Sequence, residues 1–388
     1  MKKILIVTPE FGHGGTNRSL LNLMGVIDRE KYDIDIFVMR HVGPYQHLFR
    51  SFHVLPENPM LAIYFSFREA LANENLWGKL RKIGLKAYMK LVLRSDPQRI
   101  LQAAAAQVSK THYDVAVAFQ ESAATEFVSY VRADRRLAWV RCDYRRHIAK
   151  AKRDETGIYS RFDKIIAVSQ FTAQVFRDQV PAAADRTAAI CNMIDYEGIL
   201  RKSREPIEDP RFVRAPFTLV SVGRMDPVKR FSHIPGMAAW LKEKNIPFRW
   251  YIIGDGGEEK QIVEDSIREH QVQEQVILLG EKDNPYPYIA AGSVLVCPSW
   301  SEACPNVVNE GKILHVPVVA ADFPSAKEFL QSGVNGIISP IESMASQLGE
   351  LYENKELYQR ISQNLSDFVY DNAAIKASIE KLFDGENE

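Results

Sequence analysis

Short, continuous apolar runs that end in turn residues recur along the whole chain. The first covers residues 4–8, and a glycine-rich loop, a helical pattern over 19–27 and a second apolar run at 32–39 follow it. Unbroken apolar runs are typical of parallel strands that are buried on both faces. Further strands are predicted at 115–119, 137–140 and 164–168. The strand–helix–strand order indicates a doubly wound α/β domain.

A second series of the same kind begins after a polar, proline-containing segment at 201–215, which has the composition of a linker. Its strands are predicted at 217–222, 248–253, 276–279, 294–297 and 316–320. A chain of 388 residues is also too long for one ordinary core. We therefore predict two Rossmann-like domains, 1–205 and 206–369, and expect a C-terminal helix within 370–388 to join the first.

The segment 76–94 differs from this pattern, because apolar residues recur in it at helical spacing. Six Lys or Arg residues and no acidic residue lie between positions 79 and 94. Two interpretations stay open: a helix that lies on an anionic membrane surface, or a helix that packs on its own domain.

Composition argues against a disordered chain, a collagen, a coiled coil and a disulfide scaffold. Hydrophobic residues make up 46% and charged residues 25%, which are ordinary values for a globular protein. The net charge of zero conceals an asymmetry, since residues 1–200 carry 29 basic and 21 acidic residues, a net +8, and the remainder carries −8.

Four scattered cysteines without CxxC spacing argue against a zinc ribbon and fit a cytoplasmic protein. No apolar stretch is long enough for a transmembrane helix, and we expect no nucleic-acid partner.

The glycine-rich loop after the first strand contains Gly12, Gly14 and Gly15. A loop of this kind lets backbone N–H groups approach an anion or a sugar. The dinucleotide fingerprint fails, because Asn17 occupies the position of its third glycine. The alternative to a binding loop is a turn that needs glycine only for its backbone geometry.

Two further motifs follow strands of the second series. Gly223, Arg224 and Lys229 follow the strand at 217–222, and Arg and Lys side chains there could bind a diphosphate. Glu302 and Glu310 follow the strand at 294–297, with Pro305 placed to open a helix between them. Each motif alone is also compatible with a solvated turn or a solvated pair of carboxylates.

Taken together, these motifs resemble the retaining GT-B glycosyltransferases of family GT4. The resemblance includes the E-x7-E pair Glu302 and Glu310 within S-x-x-E-x-x-P-N-x-x-x-E, the V-G-R-x-x-x-x-K element ending at Lys229, and the N-terminal glycine pair. It extends over nearly the whole chain in the right order. It implies the α/β GT-B fold, two Rossmann-like doubly wound domains facing a cleft, and a nucleotide-sugar co-substrate without a metal or other cofactor.

The resemblance also assigns roles to residues. Arg224 and Lys229 would stabilise the departing diphosphate, Glu302 would contact the donor sugar, and Glu310 would bind ribose. The remaining donor-binding candidates are Gly14, Gly15, Gly223, Ala303, Cys304, Pro305, Asn306 and Val307.

One position departs from the family pattern. Many relatives carry a histidine that contacts the sugar where this chain has Arg141, after Trp139 and Val140. Arg141 is a candidate contact for an anionic group on the donor or acceptor, or a surface arginine. His13 is a second candidate contact for acceptor or sugar.

The expected function is a retaining hexosyltransferase that uses a UDP- or GDP-sugar and a saccharide or lipid-linked acceptor, in the synthesis of a surface polysaccharide or glycolipid. The expected location is cytoplasmic, with peripheral attachment to the inner face of the plasma membrane as a further option. Two alternatives stay open: a non-catalytic nucleotide-sugar-binding subunit and a GT-B epimerase.

Overall fold

The computed structural model describes residues 1–12, 14–72, 75–150, 154 and 156–386. It divides into two compact units, Met1–Met193 with Asn372–Glu388, and Ile194–Asp371. The boundary therefore lies before the predicted one at 205/206. The reason is the helix Tyr196–Lys202, which contacts helices of the second unit.

The first unit is built on a six-stranded sheet in which every pair is parallel. Its strands are β1 (Lys2–Glu10), β2 (Tyr32–Arg40), β3 (Tyr113–Ala118), β4 (Ala133–Val140), β5 (Lys164–Ala167) and β6 (Thr187–Ala189). The spatial order is β2-β1-β3-β4-β5-β6, so the strand order reverses between β1 and β3. The central strands are buried on both faces, which explains their unbroken apolar runs.

Helices cover this sheet and contribute to its core. They are α1 (Gly15–Val26), α2 (Pro59–Phe65), α3 (Phe67–Ala72), α4 (Leu76–Leu91), α5 (Pro97–Val108), α6 (Ala123–Tyr130), α7 (Tyr144–Lys150) and α8 (Gln170–Gln179). Side-chain caps begin several of them; for example, the Asp96 carboxylate accepts from the N–H groups of Gln98 and Arg99.

The second unit contains another six-stranded parallel sheet, with the order β12-β11-β10-β7-β8-β9. Its strands are β7 (Phe217–Val222), β8 (Phe248–Ile253), β9 (Val276–Gly280), β10 (Val294–Cys297), β11 (Val318–Ala321) and β12 (Ile337–Ser339). Buried hydrogen bonds join its centre: the Trp250 indole donates to the Ser221 hydroxyl at 3.0 Å, and that hydroxyl donates to the carbonyl of Val296 at 2.8 Å.

The helices of the second unit are α9 (Tyr196–Lys202), α10 (Ile234–Glu243), α11 (Lys260–Glu269), α12 (Tyr286–Ala291), α13 (Asn306–Ile313), α14 (Ala326–Phe329), α15 (Met344–Glu353) and α16 (Lys355–Ser366). The chain then returns to the first unit as α17 (Asn372–Asp384), where the Asp384 carboxylate accepts from the Tyr32 hydroxyl and the Lys31 ammonium.

The predicted strands of both series are present, with boundaries within a few residues. Two short strands were not predicted as such, β6 and β12, which have three residues each and lie at sheet edges. Such short segments carry too little periodicity to be recognised. Among the described residues, no helix combines the length and the apolar character needed to cross a bilayer.

Candidate active site

The second unit places its predicted site at the point where its strand order reverses. Strands β7 and β10 are hydrogen-bonded neighbours, although two strands separate them in sequence. The loops that follow them therefore leave the same edge of the sheet side by side. One begins at Gly223 and the other at Pro298. Ligands of doubly wound sheets bind at such a point, beyond the carboxyl ends of the strands.

Two glycines allow the loops after β7 and β8 to touch. Gly223 donates its N–H to the carbonyl of Ile253 at 2.9 Å, and Gly254 has a φ of +138°. A Cβ on Gly254 would lie 2.0 Å from the carbonyl oxygen of Gly223. Position 254 therefore requires glycine for both its backbone conformation and its contact.

The loop after β7 carries the predicted diphosphate ligands. The Arg224 guanidinium forms an ion pair with Asp226 at 2.8 Å, while 69% of its side chain is exposed. Residues Pro227–Lys229 form a single 3-10 turn, which the N–H of Lys229 closes by donating to the carbonyl of Asp226 at 2.8 Å. The turn directs Lys229 back beneath Gly223, whose added Cβ would lie 3.5 Å from the Lys229 Cε.

The loops after β7 and β10 are joined by an ion pair between Lys229 and Glu302. The Lys229 Nζ donates to the Glu302 Oε1 at 2.7 Å, and both side chains are largely buried. Burial lowers the pKa of Lys229, but the Glu302 carboxylate outweighs it, so the pKa lies above its ordinary value. A backbone hydrogen bond from Trp300 to the carbonyl of Val228, at 3.1 Å, holds the same two loops together.

Buried neighbours fix the position of Glu302. The Ser325 hydroxyl, which is fully buried, donates to the carbonyl of Glu302 at 2.7 Å. Below the pair lies Cys297, where burial and the nearby Glu302 carboxylate raise the pKa of the thiol to about 11. Cys297 is therefore a neutral thiol at physiological pH, and Lys229 and Glu302 provide the charge there.

Helix α13 begins at Asn306. Pro305 precedes the helix with ψ at 88°, and its carbonyl accepts from the N–H groups of Val308 and Asn309. Pro305, which was predicted in the first turn of this helix, lies at its N-cap position, immediately before the first helical residue. On the same helix, Glu310 accepts from the Tyr286 hydroxyl of α12 at 3.4 Å.

The first unit places its glycine loop beyond β1, next to the point where its own strand order reverses. Gly14 has a φ of +133° and precedes α1, of which Gly15 is the first residue. The Asn17 amide donates to the carbonyls of Glu10 and Gly12 at 2.9 and 2.8 Å. Asn17 thus fixes the loop from within. His13 lies outside the described residues.

Arg141 is held at the same edge of the first sheet. Its Nε donates to the carbonyl of Phe119 at 2.8 Å, its Nη1 donates to the Asn192 side chain at 2.6 Å, and its guanidinium lies 3.9 Å from the centre of the Phe119 ring. Its backbone N–H donates to the Glu121 carboxylate at 3.0 Å. Arg141 is half-buried and bonded on several sides, so it is not a freely solvated side chain, and its contact with an anionic group stays a prediction.

The structure thus groups the predicted residues by unit. In the second unit Gly223, Arg224, Lys229, Glu302 and Glu310 lie on neighbouring loops and α13, and the half-buried stretch 303–307 connects the two glutamates, with Pro305 buried within it. Gly14, Gly15 and Arg141 lie in the first unit. Sequence reasoning missed the roles of Asp226, Ser325 and Tyr286. Asp226 lies within the quoted motif, whereas nothing in the sequence relates Ser325 or Tyr286 to a glutamate more than twenty residues away.

Comparison with known proteins supports the predicted resemblance to glycosyltransferases. Residues 203–367 match the family described as Glycosyl transferases group 1, a range that lies within the second unit. An uncharacterized glycosyltransferase of Methanocaldococcus jannaschii is 24% identical over 58% of this chain and 53% of its own length. A diphospho-undecaprenol N-acetylgalactosaminyltransferase of Campylobacter jejuni is 27% identical over 52% of this chain and 53% of its own. The chain spans about half the length of the curated relatives it matches.

Solved structures resemble the whole chain. Anabaena HepE in complex with UDP covers 99% of this chain and 100% of its own, with a TM-score of 0.73 and 17% identity. TarM of S. aureus, solved as a mutant in complex with UDP, has a TM-score of 0.71 at 13% identity over 99% and 100% of the two chains. At these identities the likeness shows the fold alone.

The fold is therefore the α/β fold of GT-B glycosyltransferases, with two parallel-sheet Rossmann-like domains. The match to the glycosyl transferases group 1 family lies within its second unit.

Proposed function

We propose that the protein is a retaining glycosyltransferase that moves a hexose-type sugar from a UDP- or GDP-sugar to a saccharide or lipid-linked acceptor, in surface polysaccharide or glycolipid synthesis. The observation that carries the proposal is the Lys229–Glu302 ion pair at the reversal of strand order, with Arg224 on the same loop. The Campylobacter relative is named for a diphospho-undecaprenol acceptor, and HepE was solved with UDP-glucose, which supports this choice of substrates.

The donor would bind with its diphosphate beside Arg224 and Lys229 and next to the start of α13. Arg224 offers a planar, exposed guanidinium that can fork onto phosphate oxygens, and Lys229 adds a point charge. The positive end of α13 and the backbone of Gly223 and of residues 303–307 favour an anion in the same place. Glu310 would accept from the ribose hydroxyls.

Glu302 would accept from a hydroxyl of the transferred sugar. Lys229 neutralises this carboxylate in the free protein, so Glu302 is already oriented before the sugar arrives. Departure of the diphosphate leaves positive charge on the sugar and negative charge on the phosphates. Arg224, Lys229 and α13 would stabilise the developing negative charge from fixed positions. Since these groups supply the required charge, we propose that transfer needs no metal.

Turnover by the purified protein tests the proposal. UDP- and GDP-hexoses are incubated with and without saccharide acceptors, in the presence of a chelator, and the anomeric configuration of the product is read by NMR. We expect sugar transfer or slow donor hydrolysis that survives chelation, retention at the anomeric carbon, and loss of both reactions in Glu302→Gln. Donor binding without any turnover would instead identify a non-catalytic subunit, and conversion of the donor sugar without an acceptor would identify an epimerase.

The choice of nucleotide can be measured separately by thermal shift. A nucleotide present at 100 times its dissociation constant adds about 2.7 kcal/mol of stability. The nucleotide that stabilises the wild type but not Arg224→Ala identifies the base of the donor. Equal shifts in both proteins would place nucleotide binding elsewhere.

A further inference from the structure

Helix α4 contacts the first unit through one narrow face. Met89 is buried and Leu85 is half-buried against the core of the unit. On the same side, the Lys82 Nζ donates to the carbonyl of Ala70 in α3 at 2.6 Å, and the Lys86 Nζ lies 3.6 Å from the centre of the Phe67 ring. These contacts fix the rotation of the helix about its axis.

The opposite face of α4 is apolar and exposed. At 100° per residue, Leu76, Leu80, Ile83, Ala87 and Leu91 lie together on the side away from Leu85 and Met89. We call these five residues, with Trp77 at their edge, the outer stripe. Its large side chains have high exposed fractions: Leu76 71%, Trp77 80%, Leu80 52%, Ile83 50% and Leu91 78%. The stripe is therefore largely exposed to solvent, and an exposed apolar surface of this kind marks an interaction site.

Cations flank the outer stripe. Lys79 and Lys90 lie along one side of it, and Arg81 lies on the other side, beyond Trp77; all three are exposed. No acidic residue occurs between positions 75 and 95. An apolar stripe between cations, on a helix with little net hydrophobicity, is the pattern of a helix that lies in the headgroup region of an anionic bilayer.

The charge distribution selects a lipid surface over a second copy of the chain. Two copies that paired symmetrically through the outer stripe would bring their Lys79, Arg81 and Lys90 side chains together, and like charges across an interface are unfavourable. An anionic lipid surface instead complements every cation around the stripe.

We propose that α4 docks the first unit on an anionic phospholipid bilayer, with the outer stripe inserted among the acyl chains and Lys79, Arg81 and Lys90 at the phosphate groups. Lys82 and Lys86 hold the helix to α3 and do not take part directly. The inference is independent of the proposed function, because α4 lies in the first unit and the donor ligands Arg224, Lys229 and Glu302 lie in the second.

Co-sedimentation of the full chain with phosphatidylcholine vesicles, with and without phosphatidylglycerol, tests the proposal. We expect binding only to the anionic vesicles, weakened by salt. Each of Lys79→Gln and Lys90→Gln should weaken binding about fivefold, since a lysine near an anionic surface contributes about 1 kcal/mol. The matched control Lys355→Gln, an exposed lysine of the second unit, should leave binding unchanged.

The outer stripe is tested in the same assay. Leu80→Ser should weaken binding about tenfold, because it removes most of one buried apolar side chain from the bilayer. Ile262→Ser, which replaces a side chain of similar exposure in the second unit, should have no effect. Circular dichroism of each variant verifies that it is folded, and transferase turnover on a free saccharide acceptor should be the same in all of them.

Trp77 reports insertion directly. Its emission should shift to shorter wavelength when anionic vesicles are added, and Trp77→Phe should lose the shift while it still sediments with the vesicles. Binding that ignores lipid charge, or that survives Leu80→Ser unchanged, would overturn the proposal. A concentration-dependent dimer that Leu80→Ser abolishes, without any vesicle binding, would overturn it in favour of a second copy.

Discussion

At the scale of single residues, Arg224 offers a test in which function and stability separate. Its side chain is 69% exposed and its guanidinium pairs with Asp226 on the same loop, and exposed pairs of this kind contribute about 0–1 kcal/mol to stability. If it stabilises the departing diphosphate, Arg224→Ala should lower kcat about 100- to 1000-fold, as the loss of one preorganised donor does. Steady-state kinetics measures kcat, and thermal unfolding measures stability.

The matched control is Arg268, which is 59% exposed and pairs with Asp265 on α11. Arg268→Ala removes a similar exposed ion pair from the same unit and should leave kcat unchanged. Equal losses of activity in the two variants, or a large loss of stability in Arg224→Ala, would contradict the assigned role.

The raised pKa of Lys229 predicts that the protein loses stability at alkaline pH. Its pKa in the folded protein is raised above the ordinary 10.5, because the Glu302 carboxylate outweighs the effect of burial. A raised pKa contributes stability that is complete below the unfolded value and is lost as the pH rises through the folded value. The free energy of unfolding of the wild type should therefore fall more steeply above pH 10.5 than that of Lys229→Met.

Urea unfolding at a series of pH values measures this difference. Lys260→Met is the control, since Lys260 also pairs with a carboxylate, Asp255 at 2.6 Å, but both of these side chains are substantially exposed. We expect a smaller difference in slope for Lys260→Met. Parallel curves for the wild type and Lys229→Met would show that the pair does not stabilise the folded state.

At the scale of elements, the contact between the loops after β7 and β8 depends on the absence of one Cβ. Gly254→Ala would place a methyl group 2.0 Å from the carbonyl oxygen of Gly223 and would also strain a φ of +138°. Gly256, two residues later, has a φ of +65° and open space around its Cβ position. We expect Gly256→Ala to cost about 1 kcal/mol, the ordinary penalty of a left-handed alanine, and Gly254→Ala to cost several times more.

Chemical denaturation of the two variants measures these costs. Because Gly254→Ala must displace Gly223, it should also weaken nucleotide binding, whereas Gly256→Ala should not. Equal destabilisation by both substitutions would show that the loops after β7 and β8 have room to separate.

The elements also show what a sequence can predict. Buried parallel strands such as β7, β8 and β10 were predicted with correct boundaries, because both their faces are covered and their apolar runs are continuous. The motifs likewise located Lys229 and Glu302. That these two side chains pair, and that Ser325 fixes Glu302, depends on which strands become neighbours, and no local pattern contains this information.

Helix α4 shows the same limit on a helix surface. Its sequence predicted an amphipathic helix rich in cations, but periodicity does not state which face meets the protein. Met89 and Leu85 face inward with Lys82, while the larger apolar side of the helix faces outward. The assignment of Lys82 to the core-facing side follows only from its hydrogen bond to α3.

At the scale of the whole molecule, the two halves of opposite net charge have different proposed roles: docking on a membrane for the first and binding of the donor for the second. The +8 of residues 1–200 includes the cations of α4, which would meet an anionic surface. Most of the −8 of the remainder lies in the second unit, where the proposed ligand is itself an anion, so the charge that matters there is local. Arg224 and Lys229 provide it within an acidic unit, which net charge alone would not predict.

The chain leaves the first unit after Met193 and re-enters it at Asn372, so the stability of that unit depends on residues at both ends of the sequence. Phe383 of α17 is buried, with its ring 5.5 Å from that of Tyr32 in β2, and Lys2 donates to its carbonyl. Phe383→Ala should therefore cost about 3–5 kcal/mol, as the removal of a buried aromatic side chain does. Lys381→Ala, an exposed position on the same helix, should cost little.

Hydrogen exchange shows which strands lose stability in Phe383→Ala. In Phe383→Ala the amides of β1 and β2 should lose protection, while those of β7 and β8 should keep theirs, because the substituted side chain packs against Tyr32 of β2 in the first unit. A uniform loss of protection in all four strands would show that the two units unfold together. Protection that stays unchanged in β1 and β2 would show that α17 does not stabilise the sheet on which it packs.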